Sequence, residues 1–472
     1  MSAKILLSLL LTLLLVPALP GLVLAQNKPA PDTTKDISQI SSLGESLHNA
    51  TRGPLHILYV HGIGAEGPGD SKKFQQGICA RLPGCTIAKD PRKIIPVGRD
   101  YADSREFDVN VQPPNFKYLG NPIWTKQEEW RASAPFVDHY LLKGSVKGKD
   151  ETVVVHEINW WPLVFPLKCR QIMKSEAWLA GPNKQLLTLC SQSKEDSLHP
   201  QRYESYPWIT PDEATTLESM RARGALINRC LKTTLLDWGF SDAVMAVGSL
   251  HDLFREGMRQ LFVESARFNA DGTKTDEWVQ RVNNPRQADP EFIVVSHSLG
   301  SYLVFSTLNL DEQDIVPQAM PTRLDIDDAT VREDEAAEYI LQHTSLVYFF
   351  ANQVPLLELA DVEGPTASNL IARRLQMWRA LRQNFGDATR GPDALPVKPP
   401  QVIAWSDPSD LLTWCIPEAK PLTIVNLYVR NIWWHWLIAN PGPAHENYAS
   451  NKSVLRTIMS AEPSTAKGEV CK

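Results

Sequence analysis

Short apolar runs rich in β-branched or aromatic residues recur along the chain at 55–60, 152–158, 292–295, 344–352, 402–405 and 424–429. Runs of this length with no strict alternation of polar and apolar positions mark strands buried on both faces. Between them the apolar positions take a helical spacing. The pattern predicts helices over 72–82, where Ser71 stands ready to cap, over 302–308 and over 366–384. The long stretch from 168 to 289 is mostly helical by pattern, with 235–267 its longest candidate. Residues 311–338 are acidic and polar and read as a solvated loop, and 386–400 as another. Strands alternating with helices give an α/β fold class.

One of these junctions carries chemistry. The strand ending at Val295 runs into Ser296-His297-Ser298-Leu299-Gly300 and then into a helix. A serine on so sharp a strand-to-helix turn is lifted above the sheet edge, exposed to a base and to a substrate carbonyl. The residues two before and two after it come close together and must be small. Gly300 meets that need, and Ser296 stands where the usual pattern has glycine. The helix that starts there aims its N-terminal N–H groups at developing negative charge. Earlier, the strand over 55–60 runs into His61-Gly62-Ile63-Gly64 and a glycine-rich loop. An acyl-transfer site needs two N–H donors for its oxyanion. The candidates are Leu299, which follows the serine, and Ile63, whose flanking glycines let its N–H turn inward. The loop lacks both the ending of a P-loop and the spacing of a dinucleotide fingerprint.

A strand with His-Gly-Ile-Gly early and Ser-His-Ser-Leu-Gly between strand and helix later resembles the α/β-hydrolase superfamily, in its lipase and esterase branches. The resemblance covers residues 55–115 and 290–450. It implies a mostly parallel central sheet with flanking helices and the chain order Ser…Asp…His. Ser298 is then the catalytic nucleophile. The acid belongs in the loop after the strand over 402–405, where Asp407 and Asp410 compete. Asp410 is favoured, because the apolar pair after it resembles the family's continuation; Asp407 is suited to an Asx-type turn. The base is His445, in a loop after the last strand, rather than His435 inside an aromatic cluster. The implied reaction is hydrolysis of a carboxylic ester with neither cofactor nor metal. One triad also serves thioesterases, acyltransferases and peptidases, and the fold could carry a non-catalytic binding protein.

Composition narrows the setting. The 472 residues carry a formal net charge of −6 and no long basic run, so a nucleic-acid partner is unexpected. Lys4 precedes an apolar run over 5–16, and Val23-Leu24-Ala25 offers small residues for cleavage, so 1–25 reads as a signal peptide. Export to a secreted or periplasmic location follows, with an uncleaved membrane anchor as the alternative. Residues 26–54 read as a polar linker with room for one short helix, 55–161 and 290–472 as two parts of the hydrolase core, and 162–289 as a helical cap or lid. Seven cysteines in an exported chain permit disulfides, and Cys79–Cys85 and Cys169–Cys190 are the expected pairs. Trp160 and Trp161 follow the strand over 152–158 at the sheet edge where ligands bind. They suit either core packing or contact with an apolar acyl chain. Lipid or similar esters are therefore the expected substrates, and contact with a membrane surface remains open.

Overall fold

The computed structural model describes most of residues 40–462. Besides 1–39 and 463–472, it leaves out 49–52, 64–68, 88–116, 192–207, most of 222–238, 284–288, 309–327, 358–374, 384–399, 418–422, 432–440 and several shorter gaps. The signal peptide, His435 and the far part of the glycine-rich loop therefore lie outside the described residues.

The main sheet is built from β1 (Leu55–Val60), β2 (Thr86–Ile87), β5 (Phe136–Val146), β6 (Lys149–Asn159), β7 (Glu291–His297), β8 (Thr344–Phe350), β9 (Gln401–Ser406) and β10 (Thr423–Tyr428). A separate two-stranded ribbon joins β3 (Lys117–Tyr118) to β4 (Asn121–Pro122). The eight strands lie in the order β10-β9-β8-β7-β1-β6-β5-β2. From β10 to β6 every neighbour is parallel, whereas β5 pairs antiparallel with β6 and with β2. The sequence showed the apolar half of β6 but not its hairpin partner. Residues 136–146 mix Asp138, His139, Lys143 and Gly144 among apolar residues, and no clean period survives.

Helices cover both faces. One face carries α1 (Leu43–His48), α2 (Lys72–Cys79) and, at the end of the chain, Lys452–Ser460. The stretch read as a linker thus contains a helix whose Leu43 and Leu47 are buried in the core. Ser71 does not cap α2 with its side chain. Its hydroxyl donates instead to the Glu157 carboxylate.

The helical segment before β7 divides in two. Its first part holds α3 (Met173–Ala180), α4 (Lys184–Ser191) and α5 (Pro211–Ser219), with a small core of its own around Met173, Leu186 and Trp208. The Cys169–Cys190 disulfide crosses that core, and Cys79–Cys85 closes the turn after α2. The single helix expected over 235–267 is described as α6 (Ser241–Val247) and α7 (His251–Arg267), broken at an extended Gly248. Lys168 and Asp242 form a buried ion pair at 2.6 Å that ties α6 to the first part. Helix α7 packs on the sheet. Its Leu253, Phe254, Met258, Leu261 and Phe262 are buried in the larger core on the second face of the sheet. Beside it lie α8 (Glu277–Asn283), α9 (Leu299–Thr307) and α10 (Asp328–His343). Helix α10 corrects the reading of 311–338 as a loop throughout. Its acidic first half suits a helix N-terminus, and its second half buries Ala336, Ala337, Tyr339, Ile340 and Leu341. Among the described residues no helix is long and apolar enough to cross a membrane.

Three histidines sit inside the sheet. His139 Nδ1 meets His156 Nδ1 at 2.8 Å, and His156 Nε2 meets His56 Nδ1 at 3.0 Å. Phe268, just past α7, stacks on His139 at 3.9 Å. Burial lowers the His56 pKa from an ordinary 6.5 to about 3, and lowers that of His156 as well. Neutral rings can share these bonds in a consistent direction, and burial disfavours a charge on His56 and His156. Unfolding therefore takes up protons between these pH values, so this stability is whole above about 6.5 and lost as the pH falls. At pH ~5 His56 should cost about 2 kcal/mol. Glu157, whose carboxyl is raised by burial, works in the opposite sense. Urea unfolding at pH ~7.5 and pH ~5 should show the loss; equal stabilities would mean that these rings are not held neutral.

Candidate active site

Strand β1 lies between β6 and β7, and the chain leaves β1 and β7 toward opposite faces, through α2 and α9. The loops after β1 and β7 thus lie together at the carboxyl ends of the strands, the position in open α/β sheets where ligands bind. Ser298 lies at this junction and is fully buried, where the sequence suggested an exposed hydroxyl. Its backbone has φ 54° and ψ −124°, a conformation that L residues rarely adopt and that costs about 1–3 kcal/mol. Surrounding structure holds it there: Ser298 N–H donates to the Phe350 carbonyl at 2.8 Å. The turn also needs tight packing against the loop after β1. A Cβ on Gly300 would lie 2.4 Å from the His61 carbonyl oxygen, and one on Gly62 would lie 2.8 Å from Ser298 Cβ. Ser296 fits where glycine is usual, its hydroxyl donating to Ser301 Oγ at 3.2 Å.

Three of the residues singled out in the sequence meet here. His445 Nε2 lies 2.8 Å from Ser298 Oγ. Its Nδ1 lies 2.9 Å from Asp410 Oδ2 and 3.0 Å from Oδ1. A carboxylate accepts, so Nδ1 carries the proton and Nε2 is left bare to accept from the serine hydroxyl. His445 sits in the last turn of a short helix, Pro441–Glu446, rather than in a loop. Of the two aspartates, Asp410 faces the imidazole. Asp407 makes the Asx-type turn: its Oδ1 accepts from Ser409 N–H at 2.8 Å, and its Oδ2 from Asn431 N–H at 2.6 Å.

Leu299 opens α9, where the first N–H groups have no acceptor within the helix. Ile63 is half-buried, three residues past β1 and one past Gly62. The loop that carries it is anchored at both ends. Trp160 Nε1–H donates to the His61 carbonyl at 3.1 Å, and its indole stacks on the His61 ring. Glu157 accepts from Gly69 N–H at 2.6 Å and from Ser71 N–H at 3.0 Å. Trp160 is therefore a buried brace behind the loop. Trp161 is half-buried and lies edge-on to Phe136 and Phe165.

Several neighbours escaped the sequence reading. Tyr448 accepts from Asp407 N–H at 2.6 Å and donates to Asp410 Oδ2 at 3.2 Å, which links the two aspartates. Asn431 Nδ2–H donates to the Ala444 carbonyl at 2.6 Å. His297 Nε2–H donates to the His445 carbonyl at 2.7 Å. His297 was in view inside Ser-His-Ser-Leu-Gly, and strand alternation turns it away from Ser296. Tyr448 and Asn431 gave no signal of their own. Chemically, the line Asp410–His445–Ser298 can strip a proton from the serine hydroxyl and hold the resulting imidazolium.

An eight-stranded, mostly parallel sheet between two helical layers, with a helical insertion before β7, is a generic α/β-hydrolase-like fold. Comparisons of the chain with models of protein families, with curated proteins and with solved structures returned no match.

Proposed function

We propose that the protein is an exported serine hydrolase that cleaves carboxylic esters with an apolar acyl group. The observation that carries the reading is the hydrogen-bonded line from Asp410 through His445 to a strained Ser298. In this mechanism Ser298 Oγ attacks the ester carbonyl while His445 Nε2 takes its proton. Asp410 keeps the proton of His445 on Nδ1 and stabilises the imidazolium. The N–H groups of Leu299 and Ile63 bind the oxyanion. His445 returns the proton to the leaving alcohol, and the same groups then activate water against the acyl-enzyme. Thioesterase, acyltransferase and peptidase activities would use the same parts, and a substrate panel separates them.

Support for an apolar acyl group comes from exposed apolar side chains near the triad in sequence or space rather than from Trp160. Leu411, directly after Asp410, is 65% exposed, and Trp414 is 37% exposed. Phe240, 46% exposed, follows Gly239, which lies against the Ile63 side chain. Fluorophosphonate labelling with peptide mapping should place the label on Ser298. Among p-nitrophenyl esters of graded length, kcat/KM should rise from acetate to medium or long acyl chains. A preference for acetate would keep the chemistry and remove the apolar acyl group; no label on folded protein would favour a non-catalytic binding role.

A further inference from the structure

We infer that His297 is a positioning residue that fixes the main chain of His445 to the strand carrying Ser298. This rests on the hydrolase reading above and adds a residue to it.

The argument begins with how His445 is held. Its ring is gripped at both nitrogens, by Asp410 and by Ser298. The hold from Ser298 is lost whenever the serine oxygen becomes an acyl ester, which leaves the ring tied by Asp410 alone. Its backbone needs a hold independent of those bonds. Two side chains supply it. Asn431 donates to the Ala444 carbonyl, and His297 donates to the carbonyl of His445 itself. Asn431 comes from the loop after β10. His297 is the last residue of β7 and the immediate neighbour of Ser298. Serine and histidine therefore share one rigid origin: the strand that presents the hydroxyl also sets the position of the group that must reach it.

The surroundings of His297 suit this task. Its ring lies 5.0 Å from that of His445 and 6.3 Å from that of Tyr448. A Cβ on Gly62 would lie 3.0 Å from His297 Nδ1, so the loop carrying Ile63 packs against the same ring. Loss of hydration, reinforced by the neighbouring His445, lowers its pKa to about 3. A neutral ring places no second cation beside the imidazolium formed at His445. Donation to a carbonyl keeps its one proton on Nε2, so it does not compete for the serine proton.

His297→Leu removes the donor, and His297→Gln places an amide N–H at similar reach. His297→Asn keeps an amide too short to arrive. In the full chain, kcat for a p-nitrophenyl ester should fall about 10–100-fold in the Leu and Asn variants, with KM within about twofold. The Gln variant should recover most of the rate. Fluorophosphonate labelling of Ser298 should slow in parallel with kcat, while Tm fails to follow that order. Labelling of the Leu or Asn variant at the wild-type rate would overturn the proposal. So would equal losses in all three variants that track Tm. If the wild type itself takes no label, it is the hydrolase reading that fails.

Discussion

Ser298→Ala leaves a folded protein with no measurable ester turnover. The hydroxyl is the group placed within hydrogen-bond reach of His445 Nε2 among the described residues. Without it no acyl-enzyme forms, and the rate should drop about 10⁶-fold, to whatever the N–H donors and binding alone provide. Folding should be nearly untouched, because alanine meets the same backbone strain and, among the described residues, the side-chain bond lost is the one to His445. Ser298→Gly sharpens the test. Glycine tolerates φ 54° far better than serine, and relief of the strain outweighs its greater chain entropy, for a net gain of about 1 kcal/mol. The glycine variant should therefore melt higher than wild type and be equally inactive. Retained turnover in either variant, checked by p-nitrophenyl ester assay beside thermal melting, would remove Ser298 from the chemistry.

The two aspartates should separate widely. Asp410→Asn replaces a carboxylate that demands a donor at His445 Nδ1 with an amide that can itself donate there. The imidazole can then settle with its proton on Nε2, facing Ser298, where it cannot act as a base. A fall of about 10³–10⁴ in kcat is expected, with KM little changed. Asp407→Asn keeps one oxygen for Ser409 N–H or Asn431 N–H and loses the charge. Its effect reaches His445 indirectly, through Asn431 and Tyr448, so a fall of about tenfold or less is expected. Equal, mild effects in the two variants would mean that the acid lies elsewhere.

The contrast between these residues shows what the sequence could convey. Ser298, His445 and Asp410 were legible because each sits beside a landmark: a strand-to-helix turn, the last strand, a late strand with an apolar pair. The strands β1, β7, β8, β9 and β10 were legible as continuous apolar runs buried on both faces. Strand β5 was not, because it carries buried polar groups, Asp138 and His139, whose partners lie on another strand. Ser71 and Trp160 show the same limit. Local pattern made Ser71 a helix cap and left Trp160 between core packing and substrate contact, and long-range partners decided both: Glu157 holds the first and His61 the second. Tyr448 and Asn431 act only through side-chain bonds that close on folding. Helix α10 was hidden by its charged first half.

The contact between Gly62 and Ser298, and between Gly300 and His61, has a bearing on descent. The two motifs are far apart along the chain, yet neither can take on a side chain at its glycine without colliding with the other's backbone or Cβ. They are in effect one part made in two pieces. A lineage could lengthen, trim or replace the helical segment between them and keep the joint intact. It could not change position 62 or 300 alone without moving its counterpart loop. Variation among descendants of this chain should thus accumulate in the intervening helices, while the two glycines pass on together.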